Sequence, residues 1–181
     1  DSPSAVVALA RIFHDAGLPP GCLNIVWGEP AEVSSYLIQS PIVRKISFTG
    51  STAVGKTLAA LAGGNMKRMT MELGGHSPAI VFDDADVDRA ADLLAGFKYR
   101  NAGQTCVCAN RLLVQDSVYD AFAAKLSAAV ERLVVGSGLE PDVSVGPLID
   151  DEAVLKVEAH VADAVAGAFG VRAGQRLVRH F

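Results

Sequence analysis

Blocks of apolar and polar residues follow one another along this chain, and their period switches every ten residues or so. Residues 3–16 read as a helix, with Pro3 near its start and Gly17 followed by Pro19-Pro20 at its end. Leu23 to Trp27 is a short β-rich run. Residues 30–39 read as a helix, Val43 to Phe48 as a strand, and Thr52 to Ala62 as an Ala-rich helix closed by Gly63-Gly64. Lys67 to Leu73 reads as another strand.

The second half repeats the alternation. Ala79 to Phe82 is an apolar strand of the buried kind, and residues 84–99 form a helix with aspartates at its start, where the helix dipole favours negative charge. Arg111 to Gln115 is a strand, Ser117 to Val134 a long amphipathic helix, 136–150 a loop rich in Gly, Pro and Asp, and 151–167 a further helix. Short strands alternating with helices of about ten residues predict an α/β fold, with helices packed on parallel sheets. The Gly74-Gly75 break predicts a boundary between a region 1–73 and a region 74–181.

Composition narrows the classes of function. Half of the 181 residues are hydrophobic and a fifth are charged, the balance of a globular chain. No apolar run reaches the ~20 residues a membrane helix needs. The net charge of −4, with Lys and Arg scattered, offers no basic stripe for nucleic acid. Three cysteines, Cys22, Cys106 and Cys108, make no disulfide framework and suit a reducing, cytoplasmic setting. The chain starts at Asp1 rather than Met, so an upstream targeting segment lies beyond what it shows. Asp83, Asp84, Asp86 and Asp88 read as a helix start and not a metal site; Cys22 and Trp27 read as packing residues.

Three segments carry candidate chemistry. Residues 50–57, GSTAVGKT, match the phosphate-loop pattern G-x-x-x-x-G-K-[ST] between a strand and a helix, and Asp83-Asp84 at a strand end would serve as a magnesium-holding acid. Alone, this favours a nucleoside triphosphatase; a plain strand-to-helix turn is the bland alternative. Both uses want backbone N–H groups at a helix start, so the motif marks a phosphate better than it marks which phosphate. Residues 96–111, GFKYRNAGQTCVCANR, place Cys106 after a polar, Gly-containing loop. It is either a reactive thiol or a buried structural one. Residues 71–75, MELGG, hold Glu72 as a lone acid in an apolar run, either a solvated strand-end residue or a partly buried base.

Taken together, MELGG, the Cys of NAGQTC 34 residues after Glu72, and FTGST at 48–52 resemble, in order and spacing, the signature segments of the aldehyde dehydrogenase superfamily. The stretch YRNAGQTCVCANRLLVQDSVYD is similar to the succinate-semialdehyde type. The resemblance runs from Asp1 to about Val165. It implies parts of two Rossmann-like three-layer αβα domains, 1–73 from the cofactor-binding domain and 74–181 from the catalytic one. It implies Cys106 as nucleophile and Glu72 as general base, with NAD or NADP as cofactor. Gly28, Gly50, Ser51, Val54, Gly55, Leu73 and Gly74 would line that cofactor, and Lys56 would be solvated surface. Arg100, six residues before Cys106, would hold the distal carboxylate of succinate or glutarate semialdehyde, a task suited to the planar guanidinium fork. Cys108 would be either a redox partner of Cys106 or a packed, inert thiol.

The same resemblance places the family's oxyanion asparagine, a ribose-binding lysine and the interface strands of its homo-oligomers outside Asp1–Phe181. Residues from about Gly167 onward depart from its pattern. The expectation is an internal fragment, inactive or weakly active alone. The remaining alternative is a non-catalytic remnant that associates with a full-length homologue.

Overall fold

Two helices open the chain: α1 (Pro3–Asp15), with no buried residue, and α2 (Pro30–Gln39). Pro30 sits in the first turn of α2, where its missing N–H costs nothing. The computed structural model describes residues 3–167, 171–172 and 175–176. Between these helices, Leu23 to Trp27 forms no strand, contrary to its β-rich composition. A strand needs a neighbour to take its backbone hydrogen bonds, and among the described residues this run has none. Cys22 is exposed and Trp27 is 58% exposed, so neither is the core residue its type suggests.

The first unit, Asp1–Leu73, is built on a strand–helix–strand motif: β1 (Lys45–Gly50), α3 (Thr52–Gly64) and β2 (Arg68–Leu73). The strands pair in parallel from Lys45 opposite Arg68 to Gly50 opposite Leu73. Burial alternates along both strands. Ile46, Phe48, Met69 and Met71 pack toward Ile38 of α2 and Leu58 and Ala62 of α3. Ser47, Thr49, Thr70 and Glu72 occupy the opposite, exposed face, as the period of two requires. Lys67 fixes the start of β2 by donating from Nζ to the carbonyls of Ser40 (2.6 Å) and Val43 (2.7 Å).

The second unit, Gly74–Phe181, repeats the motif with β3 (Ser77–Val81), α4 (Val87–Tyr99) and β4 (Ala109–Val114). Its strands are also parallel, with a register shift between Ser77 and Pro78. Helix α4 starts at Val87 rather than at residue 84, because Asp86 is its N-cap and accepts from the Arg89 N–H at 3.0 Å. α5 (Asp116–Glu131) packs against α4. Phe122, Leu126 and Ala129 meet Val81, Ala91 and Ala95 in the core. Phe122 is 1% exposed, and truncating such a side chain to alanine costs about 3–5 kcal/mol. At the far end of the sheet, Gln115 donates to Asp83 at 2.8 Å and accepts its N–H at 3.2 Å, tying β4 to β3.

The loop that follows is pinned by a bridge between Val135 and Val145. Helix α6 (Asp151–Ala166) begins at the N-cap Asp150. β5 (Val171–Arg172) and β6 (Gln175–Arg176) form a short antiparallel pair; the rest of the tail lies outside the described residues. Among the described residues, no helix is long and apolar enough to cross a membrane.

Candidate active site

In the first unit, the candidate residues gather at the carboxyl ends of the two parallel strands. Gly50 ends β1 opposite Leu73, the last residue of β2, and Glu72 is one step back, opposite Thr49. The chain turns from Gly50 into α3 through Ser51, whose hydroxyl accepts from the Val54 N–H at 3.3 Å. The Thr52 and Ala53 N–H groups keep no partner among the described residues, as the first turn of a helix dictates. No acidic residue stands in that first turn.

Two glycines shape this junction. A Cβ at position 50 would fall 2.5 Å from the Phe48 ring, and one at position 55 would fall 2.7 Å from a Leu73 methyl. A side chain at position 50 would have to displace the Phe48 ring, and one at position 55 the Leu73 side chain, where the first turn of α3 lies on the end of β2. A bare strand end beside unpaired N–H groups fits a pyrophosphate. Gly28 lies in the loop before α2, where an added Cβ would fall 3.0 Å from a Val33 methyl. Lys56 is exposed. Glu72 is also exposed, so the first unit itself does not supply the partial burial expected of a base.

In the second unit, the chemistry sits on the segment between α4 and β4. Arg100 caps the C-terminus of α4 with its N–H on the Gly96 carbonyl; its side chain is exposed and makes no ion pair among the described residues. Three consecutive residues then take left-handed backbone angles: Asn101 (φ 54°), Ala102 (φ 56°) and Gly103 (φ 77°). Gly103 adopts this freely; Ala102 does so at a cost of roughly 1–2 kcal/mol. The winding is held by Asn101 and Gln104, each side-chain amide donating to the other's carbonyl. Gln104 also accepts from the Ile149 N–H at 2.9 Å.

Cys106 follows at the tip of a turn closed by the Cys108 N–H donating to the Thr105 carbonyl at 3.3 Å. It is exposed, and its own N–H has no partner among the described residues. Cys108 is fully buried at the base of the same turn. The beginning of the unit comes close: Gly75 faces the Cys106 carbonyl, and Asn110 reaches the Gly75 carbonyl at 3.4 Å and His76 Nδ1 at 2.9 Å. Gly74 is exposed beside them.

The structure thus brings together Gly50, Ser51, Val54, Gly55, Leu73 and Glu72 in one unit, and Arg100, Cys106 and Cys108 in the other. The left-handed winding at 101–103 and the Asn110 contacts had not been anticipated. The Asn-Ala-Gly run held the only signal for the winding, since Asn and Gly are the residues that most readily take positive φ.

A model of the aldehyde dehydrogenase family matches residues 1–180, so the family pattern continues through the tail that had looked divergent. The chain is 53% identical over 173 residues to a glutarate-semialdehyde dehydrogenase of Pseudomonas aeruginosa, covering 96% of this chain and 36% of that protein. It is 52% identical over 164 residues to the NADP(+) succinate-semialdehyde dehydrogenase of Escherichia coli, covering 91% and 34%. Among solved structures, the succinate-semialdehyde dehydrogenase of Burkholderia pseudomallei superposes with a TM-score of 0.90 at 50% identity, over 94% of this chain and 36% of that one. The chain therefore spans about a third of the length of the relatives it matches. None of these matches lends support to a triphosphatase.

Proposed function

Because the chain belongs to the aldehyde dehydrogenase family, we propose that it carries the nucleophile, the general base and part of the cofactor cradle of an enzyme that oxidises a carboxylate-bearing aldehyde to its acid with NAD or NADP. Two features support this reading: the match over residues 1–180 and the exposed thiol of Cys106 on a closed, hydrogen-bonded turn. Region 1–73 would serve the cofactor and region 74–181 the covalent chemistry.

The Cys106 thiolate attacks the aldehyde carbon. A C–S bond forms, and the carbonyl electron pair moves onto oxygen to give a thiohemiacetal alkoxide. The N–H of Cys106 is one donor for that oxygen. NAD or NADP, held at the α3 junction, would supply the hydride acceptor, and loss of hydride from this carbon would leave Cys106 carrying a thioester. Glu72 takes a proton from water, the hydroxide adds to the thioester carbon, and the C–S bond breaks to release the acid and the thiolate. The reading requires Glu72 to reach that water.

Gly50, Ser51, Val54 and Gly55 would hold the cofactor pyrophosphate at the start of α3. Gly28 would lie toward the adenine, with Leu73 and Gly74 toward the nicotinamide. Arg100 would take the far carboxylate of the substrate. The relatives' names, succinate and glutarate semialdehyde dehydrogenases, share that carboxylate and differ in chain length.

The deciding experiment is Cys106→Ser in a full-length family member carrying this segment. Aldehyde oxidation should fall by at least about a thousandfold, and the acyl group trapped in a single turnover of the parent should map to Cys106 by mass spectrometry. Unchanged turnover in Cys106→Ser would end this reading.

A further inference from the structure

Cys108 is the one buried cysteine of the three, at 0% exposed, and the chemistry above leaves it unused. Its surroundings are polar for so buried a group. The thiol is hydrogen-bonded to the Thr105 hydroxyl and points at the carbonyls of Lys98 (3.5 Å) and Phe97 (3.8 Å). Those carbonyls belong to the last turn of α4, which has no further helical N–H groups to satisfy it. The turn that carries Cys106 is therefore closed twice at its base, once by the Cys108 N–H on the Thr105 carbonyl and once by hydroxyl and thiol. Through the same sulfur it is tied to the end of α4.

We propose that Thr105 and Cys108 form a staple that positions the nucleophile, Cys108 acting as a positioning residue and not as a thiol held ready for Cys106. The inference rests on Cys106 being the nucleophile. The physical argument is one of angle and distance. An attacking sulfur must be held near its target carbon, and misplacement by about 1 Å can cost on the order of a hundredfold in rate. Cys106 stands at an exposed tip just after three left-handed residues, so its own side chain has little packing to hold it. The buried base of the turn supplies the restraint. Sulfur suits this place because a small thiol tolerates full burial while offering a weak donor and a weak acceptor to these polar neighbours. A bond to Cys106 would require the Cys108 sulfur to leave that place and give up its partners.

The test uses a full-length family member carrying this segment, with variants at both ends of the staple. Cys108→Ala should lower kcat about tenfold or more and leave KM for the cofactor within about twofold, because the α3 junction is untouched. Cys108→Ser retains a donor and an acceptor at the buried position and should restore most of the lost kcat. Thr105→Val, which keeps the volume and removes the hydroxyl, should reproduce the loss. Parental kcat in both Cys108→Ala and Thr105→Val would overturn the proposal, as would a Cys108→Ser variant no better than Cys108→Ala.

If Cys108→Ala does not fold, Thr105→Val and Cys108→Ser decide between the same outcomes. Rapid formation of a Cys106–Cys108 disulfide by diamide in the folded protein would also count against the staple. A readout independent of turnover separates this inference from the functional one. Backbone amides of residues 104–109 should exchange at least about tenfold faster in Thr105→Val than in the parent; unchanged exchange overturns the staple even in a protein that oxidises no aldehyde.

Discussion

The two units share one motif and carry their candidate residues at opposite ends of it. Each has two parallel strands joined by a helix of the same length, Thr52–Gly64 in one and Val87–Tyr99 in the other. In the first, the strand-to-helix junction is a glycine and a serine with no acid in the opening turn, so the positive end of the helix stays available to an anion. In the second, the same junction is occupied: Asp86 caps it, Asp88 stands in the first turn, and Asp83 is taken up by Gln115. That junction cannot receive a phosphate. The candidate chemistry lies instead beyond the helix's other end, on the path from Arg100 to Cys108. A βαβ unit offers two ends, and the residues at the strand-to-helix step decide which one is free for function.

This contrast can be broken by substitution in a full-length protein carrying the segment. The largest effect is expected at the ends of the two working paths. Glu72→Gln keeps the shape of the β2 terminus and removes the proton acceptor, so kcat should fall by about 10²–10⁴. A burst of reduced cofactor in the first turnover should remain, as stopped-flow absorbance would show. Loss of the burst itself would move Glu72 out of its assigned step.

Arg100→Ala should raise KM for succinate semialdehyde by roughly thirtyfold, the size of a charge-assisted hydrogen bond worth ~2 kcal/mol. An uncharged aldehyde of equal length should be nearly unaffected. Equal changes for both substrates in steady-state assays would assign Arg100 a structural role.

The junctions themselves give smaller and more pointed effects. Ser51→Asp retains a good N-cap but places a negative charge where the pyrophosphate is expected. It should weaken cofactor binding about tenfold without lowering thermal stability, measured by cofactor titration and melting. Asp86→Ala should do the reverse, lowering stability by about 1 kcal/mol through loss of a cap and leaving cofactor affinity unchanged. The smallest effect belongs to the exposed α4–α5 ion pairs. Removing Lys125, which reaches Asp88, should change stability by about 0–1 kcal/mol in denaturant unfolding.

What was legible in the sequence is local structure. Gly50, Ser51 and Gly55 lie within six residues of one another, and the strand-to-helix step they form states its own backbone requirements. Helix α2 was read to its ends because Pro30 and the apolar spacing both belong to it. Leu23 to Trp27 was misread because β-rich composition says nothing about whether a partner strand is present. Cys22 and Trp27 followed it into error: their burial depends on neighbours from elsewhere in the chain. Helix α4 was started three residues early because four aspartates crowd its beginning, and only the hydrogen bond from Arg89 identifies Asp86 as the cap. The burial of Cys108 was left open in the sequence for a related reason, since its partners at Phe97 and Lys98 lie about three helical turns back along the chain.

The left-handed winding from Asn101 to Gly103 reverses the ordinary rule for tolerated change. Elsewhere in a folded chain, glycine loosens the backbone and a bulkier residue is the safer replacement. Here the ranking of acceptable residues puts glycine first and asparagine next, with branched side chains at the bottom. Variation in this stretch is filtered first by the sign of a torsion angle and only afterwards by reactivity. A library built to alter which aldehydes are accepted should therefore leave residues 101–103 fixed and diversify around them.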